Sequence, residues 1–116
     1  MKNFSIIFIL ILLLGCVKDH PNVIVINKSN MFFDSIQVYA TPKKPTTFKN
    51  IKSNITFRGE ILFDESMSFD GAYMIQLFKG NDTLKNYSFG YFTNGASLNR
   101  AFMIEVKNDT IIINSK

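Results

Sequence analysis

Residues 55–63, Ile-Thr-Phe-Arg-Gly-Glu-Ile-Leu-Phe, form the stretch that decides the fold class of this chain. The predicted inward face consists of apolar side chains and Gly59, while Thr56, Arg58 and Glu60 alternate with them. Because successive side chains of an extended strand point to opposite faces, this two-residue period is typical of a half-buried β-strand. A helix would repeat its apolar positions roughly every 3.6 residues instead.

Shorter apolar segments of the same kind follow one another along the rest of the chain. Turn residues separate these segments, for example in the stretches Thr41–Pro45 and Lys79–Asp82. We expect Phe48 and Ile51 to cover the core from the connection after Pro45. Besides 55–63, strands are predicted at 23–26, 35–40, 72–78, 83–92, 102–106 and 110–113. About seven short strands without a helical period predict an antiparallel immunoglobulin-like β-sandwich, with a partly open β-barrel as the alternative.

The N-terminal residues differ in composition from this alternating region. Lys2 is followed by an uninterrupted apolar run from Ile6 to Leu14. From Phe4 to Val17 the apolar stretch is about 14 residues, shorter than the roughly 20 that a membrane-spanning helix needs. The run therefore predicts an export signal rather than a permanent transmembrane helix.

The run ends in Leu13-Leu14-Gly15-Cys16, which resembles the lipobox of bacterial lipoprotein signal peptides. The resemblance implies cleavage between Gly15 and Cys16, followed by acylation of the Cys16 sulfur and of the new amino group. It divides the chain into a signal peptide (1–15), a lipidated tether (16–22) and a β-sandwich domain (23–116). The implied location is the bacterial cell envelope, with the protein held by its lipid on the outer membrane in preference to the inner one.

Composition limits how the domain is stabilised and which partners it has. Cys16 is the only cysteine, so no disulfide forms within the domain and the burial of apolar side chains, including many of the 12 phenylalanines, must hold it together. Residues 16–116 carry a formal charge of +3, one less than the whole chain because Lys2 is excluded. These charges are scattered and match no nucleic-acid-binding motif, so nucleic acid is not an expected partner.

Few residues offer catalytic or ligand-binding chemistry. His20 is the only histidine and falls in the tether, where we expect it to be solvated, because a catalytic or metal-binding imidazole needs a packed surrounding. Asp64, Glu65 and Asp70 border one loop and could ligate calcium or act as an acid–base pair, but solvating the loop is their simpler role. We predict no catalytic residue, no metal site and no cofactor.

The segment Phe89-Gly-Tyr-Phe-Thr-Asn-Gly95 leaves two interpretations open. Regular alternation places Phe89 and Tyr91 on one face of the strand and Phe92 on the other. The segment is then either a central strand packed on both faces or an exposed aromatic surface that includes Tyr91, Phe92 and Asn94. We also expect Asn94-Gly95 to form a tight positive-φ loop that presents backbone amides beside the rings.

Three short motifs are candidates for modification. Ser35, Thr83 and Thr110 each follow an aspartate and precede an apolar residue. This pattern resembles the O-glycosylation motif of exported Bacteroidetes proteins. Aspartate followed by threonine is also common where a turn meets a strand, so both interpretations stay open.

Together these features predict a non-enzymatic, lipid-anchored binding or interaction module of the cell envelope. It would contact the membrane through its N-terminal lipid and a protein or glycan through its domain. An immunity-type inhibitor of an envelope-targeted toxin is the first alternative. A carboxylate-dependent glycan hydrolase is the second, and it requires two converging acidic groups, one with a raised pKa.

Overall fold

The computed structural model describes residues 20–116, which form nine β-strands and no helix within that range. They make two sheets packed against each other, one of them strongly curled, which confirms the predicted all-β sandwich. The strands are β1 (Asn22–Asn27), β2 (Phe33–Tyr39), β3 (Thr46–Ile51), β4 (Thr56–Glu60), β5 (Gly71–Lys79), β6 (Asp82–Thr93), β7 (Ala96–Ser97), β8 (Ala101–Val106) and β9 (Ile111–Ser115).

The first sheet has the order β4-β1-β8-β9 and the second β3-β2-β5-β6-β7. Every pairing is antiparallel except that between β1 and β8, in which Asn22 lies opposite Ala101 and Asn27 opposite Val106. We call the end at which β1 begins the N-terminal end; it contains His20 and loops 40–45, 61–70 and 98–100 together with the β6–β7 turn. The distal end contains loops 28–32, 52–55, 80–81 and 107–110.

Alternate side chains of both sheets fill the core between them. Val23 and Val25 of β1 and Ile36 and Val38 of β2 belong to the same core cluster, and all four are fully buried. This agrees with the alternation predicted for 35–40 and with the buried strand predicted at 23–26. The burial of these side chains, without any disulfide, is the main stabilising term of the domain.

Sequence alternation missed the strand β3. Phe48 and Ile51 are buried as expected, but they belong to this strand, which pairs with β2 and is not an irregular connection. Inward side chains lie three residues apart in both strands, at Phe33 and Ile36 in β2 and at Phe48 and Ile51 in β3, with Asn50 at φ 57°. This local irregularity hides the two-residue period that identifies a strand.

The decisive stretch 55–63 forms a shorter strand than predicted. β4 is an edge strand that stops at Glu60, so Phe57 is half-buried and Ile55 is exposed. Ile61 and Phe63 are buried, as the pattern requires, although they lie beyond the strand.

The N-terminal end of the core consists of aromatic rings. The ring of Tyr73 lies with its centroid 5.0 Å from that of Phe102, 5.3 Å from Phe92 and 5.5 Å from Phe89. A bulge at Gly90, where φ is +62°, makes this arrangement possible. The β5–β6 register shifts there, from Tyr73 opposite Phe89 to Gly71 opposite Phe92, and so adds one residue to β6.

This bulge corrects the predicted orientation of two phenylalanines. Regular alternation puts Phe89 and Phe92 on opposite faces, but both point into the core, and Tyr91 between them points outward. Because the extra residue in the bulge resets the alternation, side chains three positions apart share one face.

The two glycines at φ +62° provide a matched test of this packing. An added Cβ at Gly90 would lie 2.9 Å from Tyr73 Cδ2 and 3.0 Å from Phe102, whereas at Gly80 it would meet no atom within 4 Å. Gly80→Ala should therefore lower the free energy of unfolding by only about 1–2 kcal/mol, the cost of placing a Cβ on a left-handed backbone. Gly90→Ala should lower it by about 1–3 kcal/mol more, because the added Cβ also overpacks the core. Urea unfolding followed by circular dichroism measures both, and equal losses would contradict the packing argument.

Candidate functional site

A cleft of about 560 Å³ opens at the N-terminal end, where the chain enters the sandwich. It brings residues of β1, β4 and loop 98–100 together, because β1 lies between β4 and β8 in the first sheet. Its lining is mixed in polarity: His20, Pro21, Asn22, Glu60, Ser97, Leu98, Asn99 and Arg100.

His20 belongs to the folded domain and is not a solvated tether residue. It is half-buried, and its ring stacks on that of Phe63 with centroids 6.1 Å apart. The backbone N–H of Phe63 donates to His20 Nδ1 at 3.2 Å. The next residue, Pro21, is buried and its carbonyl accepts from the N–H of Ile61 at 2.9 Å. The ordered sandwich thus begins before the expected boundary at residue 23.

The hydrogen bond to His20 fixes the tautomer of its neutral ring. Since Nδ1 accepts a hydrogen bond from the backbone N–H of Phe63, the ring proton of neutral imidazole must be on Nε2. His20 can therefore offer one donor to the cleft. Its role in the fold is to join the residues before β1 to the loop after β4.

The loop on the other side of the cleft is fixed to the core by Tyr73. The Tyr73 hydroxyl donates to Ser97 Oγ at 2.7 Å, and Ser97 Oγ donates in turn to the carbonyl of Asn99 at 2.7 Å. Burial raises the pKa of Tyr73 by desolvating the phenolate. The carbonyl of Arg100 accepts from Asn22 N at 2.9 Å, which joins this loop to β1.

The cleft offers polar and charged side chains that can bind a ligand. Its two oppositely charged side chains, Glu60 and Arg100, are both exposed. Within residues 20–116, no group of three or more His, Cys, Asp or Glu side chains is arranged to hold a metal. The polar donors and acceptors of the cleft can bind a polar group, and Leu98 adds an apolar side chain at its rim.

The three candidate carboxylates do not converge. Asp64 Oδ1 accepts from the N–H of Ser66 at 3.2 Å, whereas Asp70 Oδ1 accepts from the N–H of Asn94 at 3.0 Å, and Glu65 is exposed. The pKa of Asp64 is lowered, mainly because the Ser66 backbone N–H stabilises the carboxylate. A glycosidase general acid requires the opposite shift. These side chains serve to close turns.

The predicted aromatic surface is divided between core and solvent. Tyr91 is 49% exposed, whereas Phe92 is 1% exposed and belongs to the core. Asn94 and Gly95 have the expected positive φ, at 50° and 65°. Their backbone amides are occupied, however, because Asn94 N donates to Asp70 and Gly95 N donates to the carbonyl of Phe69 at 3.0 Å. Tyr91 and the Asn94 side chain remain as the exposed part of this candidate surface.

The candidate modification sites differ in accessibility. Thr83 and Thr110 are exposed and lie beside turns, whereas Ser35 is half-buried in β2 between Lys49 and Phe78. The predicted cleavage and lipidation site, Gly15 and Cys16, lies outside the described residues.

A buried polar network organises the distal end. The fully buried Asn27 side chain donates from Nδ2 to the carbonyls of Met31 at 2.8 Å and Lys52 at 3.2 Å. Its Oδ1 accepts from Ser29 N at 3.0 Å and from Ser29 Oγ at 2.5 Å. Ser53 Oγ donates to the carbonyl of Ser29 at 2.6 Å, so loops 28–32 and 52–55 are held together.

Sequence analysis missed this network, although one signal was present. The inward positions of β1 are Val23 and Val25, and the same period makes residue 27 the next inward side chain. An asparagine at that position must find hydrogen-bond partners within the protein. The loops fixed by Asn27 expose three apolar side chains, Met31, Phe32 and Ile55.

No family model, no curated protein and no solved structure matches this chain. Within residues 20–116, no helix is long and apolar enough to cross a bilayer.

Alanine substitutions should destabilise the domain to different extents at the exposed and the buried residue of the aromatic segment. Tyr91→Ala should change the free energy of unfolding by less than about 1 kcal/mol, because the side chain is exposed. Phe92→Ala should cost about 3–5 kcal/mol, because it leaves a cavity among Phe63, Tyr73 and Phe69. Chemical denaturation measures both values, and a large loss in Tyr91→Ala would mean that Tyr91 packs in the core.

Proposed function

We propose that this chain is a lipid-anchored, non-enzymatic binding module of the bacterial cell envelope, which recognises its partner with the distal end. The observation that carries the proposal is the pair of distal loops that expose Met31, Phe32 and Ile55 from a rigid polar base. These loops lie at the opposite end of the domain from the predicted anchor.

The lipid anchor is supported by the lipobox resemblance and by the small number of residues between Cys16 and the folded domain. Only residues 17–19 lie between Cys16 and His20, which packs on the domain through Phe63. An acylated Cys16 would therefore hold the N-terminal end beside the membrane and leave the distal end free to meet a partner.

The binding part is supported by the composition and rigidity of the distal loops. Methionine and phenylalanine are enriched at interface centres, where buried apolar side chains carry much of the binding energy. The exposed Lys28 and Lys52 flank the apolar side chains in the sequence and provide a polar rim. Because the Asn27 network already orders the loops, little conformational entropy is lost on binding.

The apolar character of the distal loops favours a protein partner over a glycan. Packing Met31 and Phe32 against another apolar surface removes area from water, which a hydroxyl-rich ligand does less well. The exposed Tyr91 beside Asn94 is the surface better suited to a glycan, since aromatic rings and side-chain amides both contact sugars.

Replacement of Cys16 tests the anchor. Cys16→Ser should abolish metabolic labelling with fatty acid and leave an uncleaved precursor, because the sulfur that accepts the lipid is gone. The native chain, labelled in parallel and followed by gel mobility, is the control. Normal fatty-acid labelling of the Cys16→Ser chain would contradict the lipoprotein assignment.

Photo-crosslinking in cells tests the distal surface. A photoreactive amino acid at Phe32 should give a discrete adduct with one partner, while the same group at Met103, equally exposed in the middle of β8, should give none. Met31→Asp should remove the adduct and change stability by only about 0.5 kcal/mol, since Met31 is exposed. An adduct at Met103 and none at Phe32 would contradict the assignment of the distal end.

A further inference from the structure

The two most exposed large apolar side chains of residues 20–116 lie at the same end of the molecule. Leu98 is 63% exposed and Phe69 is 56% exposed, and both belong to loops of the N-terminal end. Single apolar side chains are common on protein surfaces and need no explanation. The position of this pair, at the end where the chain leads toward Cys16, is the informative feature.

Both side chains are held outward by ordered loops. The carbonyl of Phe69 accepts from Gly95 N at 3.0 Å, and an added Cβ at Gly95 would lie 2.2 Å from the Met67 carbonyl oxygen, so these two loops are tightly packed. Leu98 lies between Ser97 and Asn99, which are joined through the Ser97 hydroxyl and so to Tyr73. The exposure of Leu98 and Phe69 therefore follows from the fold.

The length of chain before His20 limits how far this end can lie from an acylated Cys16. Four residue steps separate the two positions, and each step of even a fully extended chain spans at most about 3.6 Å. His20 must then lie within roughly 14 Å of an acylated Cys16, so the end of the domain that contains His20 is the end held nearest the membrane.

We propose that the N-terminal end docks directly on the bilayer surface, with Leu98 and Phe69 inserted among the lipids. This inference rests on the proposed lipidation of Cys16, and it adds a fixed orientation of the domain on the membrane. The acyl chains hold the protein at the surface, and the two side chains determine which end faces the lipid.

Apolar insertion, and not charge, drives this docking. The charges of the N-terminal end nearly balance, because three basic side chains (Lys43, Lys44 and Arg100) are accompanied by four acidic ones (Glu60, Asp64, Glu65 and Asp70). A balanced surface gains little from anionic headgroups. Burying one leucine or phenylalanine side chain favours the docked state roughly tenfold or more. The docking should therefore occur on zwitterionic lipid and persist at high salt.

Cysteine accessibility in the full, lipidated chain tests the proposal. Ser68→Cys places a thiol in the exposed position beside Phe69, and Asn81→Cys places one in the turn at the distal end. Each chain is inserted from outside into phosphatidylcholine vesicles, and the rate of reaction with a membrane-impermeant maleimide is compared with the rate in detergent. The native chain reports lipidation itself, because its only thiol is consumed by the acyl group and takes no label.

We expect the vesicles to slow the labelling of the Ser68→Cys chain by about tenfold or more and to leave that of the Asn81→Cys chain unchanged. Replacing both Leu98 and Phe69 by serine in the Ser68→Cys chain should restore fast labelling, whereas the matched control Leu84→Ser should not. Equal slowing in the two chains, or none in either, would overturn the docking while leaving the lipid anchor intact. Labelling of the native chain at Cys16 would instead show that the proposed lipidation fails.

Discussion

The packing of aromatic rings against Gly90 is the constraint on which the N-terminal end of the sandwich depends. Tyr73 and Phe102 approach this position so closely that no side chain larger than hydrogen fits there. The bulge turns both Phe89 and Phe92 inward, and Phe63 joins them at 5.4 Å from the ring of Phe92. Two residues of the cleft, His20 and Ser97, contact these rings directly.

These two contacts fix the segments that lead into β1 and β8. His20 stacks on Phe63, which fixes the residues that enter β1. The hydroxyl of Tyr73 reaches Ser97 and orders the loop that leads into β8, whose Arg100 in turn donates its N–H to the carbonyl of Lys116 at 2.7 Å. The aromatic core thus organises a surface made of residues far apart in sequence.

The two ends of the sandwich are stabilised by different chemistry. The distal end is closed by Asn27, a buried amide whose bonds stabilise the domain only while all its partners are present, because an unsatisfied buried polar group is costly. Such a network specifies one loop arrangement more strictly than apolar contacts do. This explains how short loops without regular structure can hold Met31, Phe32 and Ile55 in defined positions.

The sequence predicts the fold class because most strands keep a strict two-residue period, as Val23 and Val25 or Ile36 and Val38 do. It fails where the backbone departs from that period, at Asn50 in β3 and at Gly90 in β6. The cleft was beyond prediction for another reason. Its residues meet through the pairing of β1 with both β4 and β8, which no local pattern specifies.

The proposed orientation also limits where a partner can be. β1 has six residues, and at about 3.3 Å per residue it separates the two ends of the first sheet by roughly 20 Å. The six residue steps from Cys16 to Asn22 span at most about 22 Å, so the distal end of β1 would lie within roughly 42 Å of an acylated Cys16. A partner that meets Met31 and Phe32 must therefore come within this distance of the membrane surface. A domain docked by Leu98 and Phe69 would present these loops at one fixed height, which favours a partner that is itself membrane-bound.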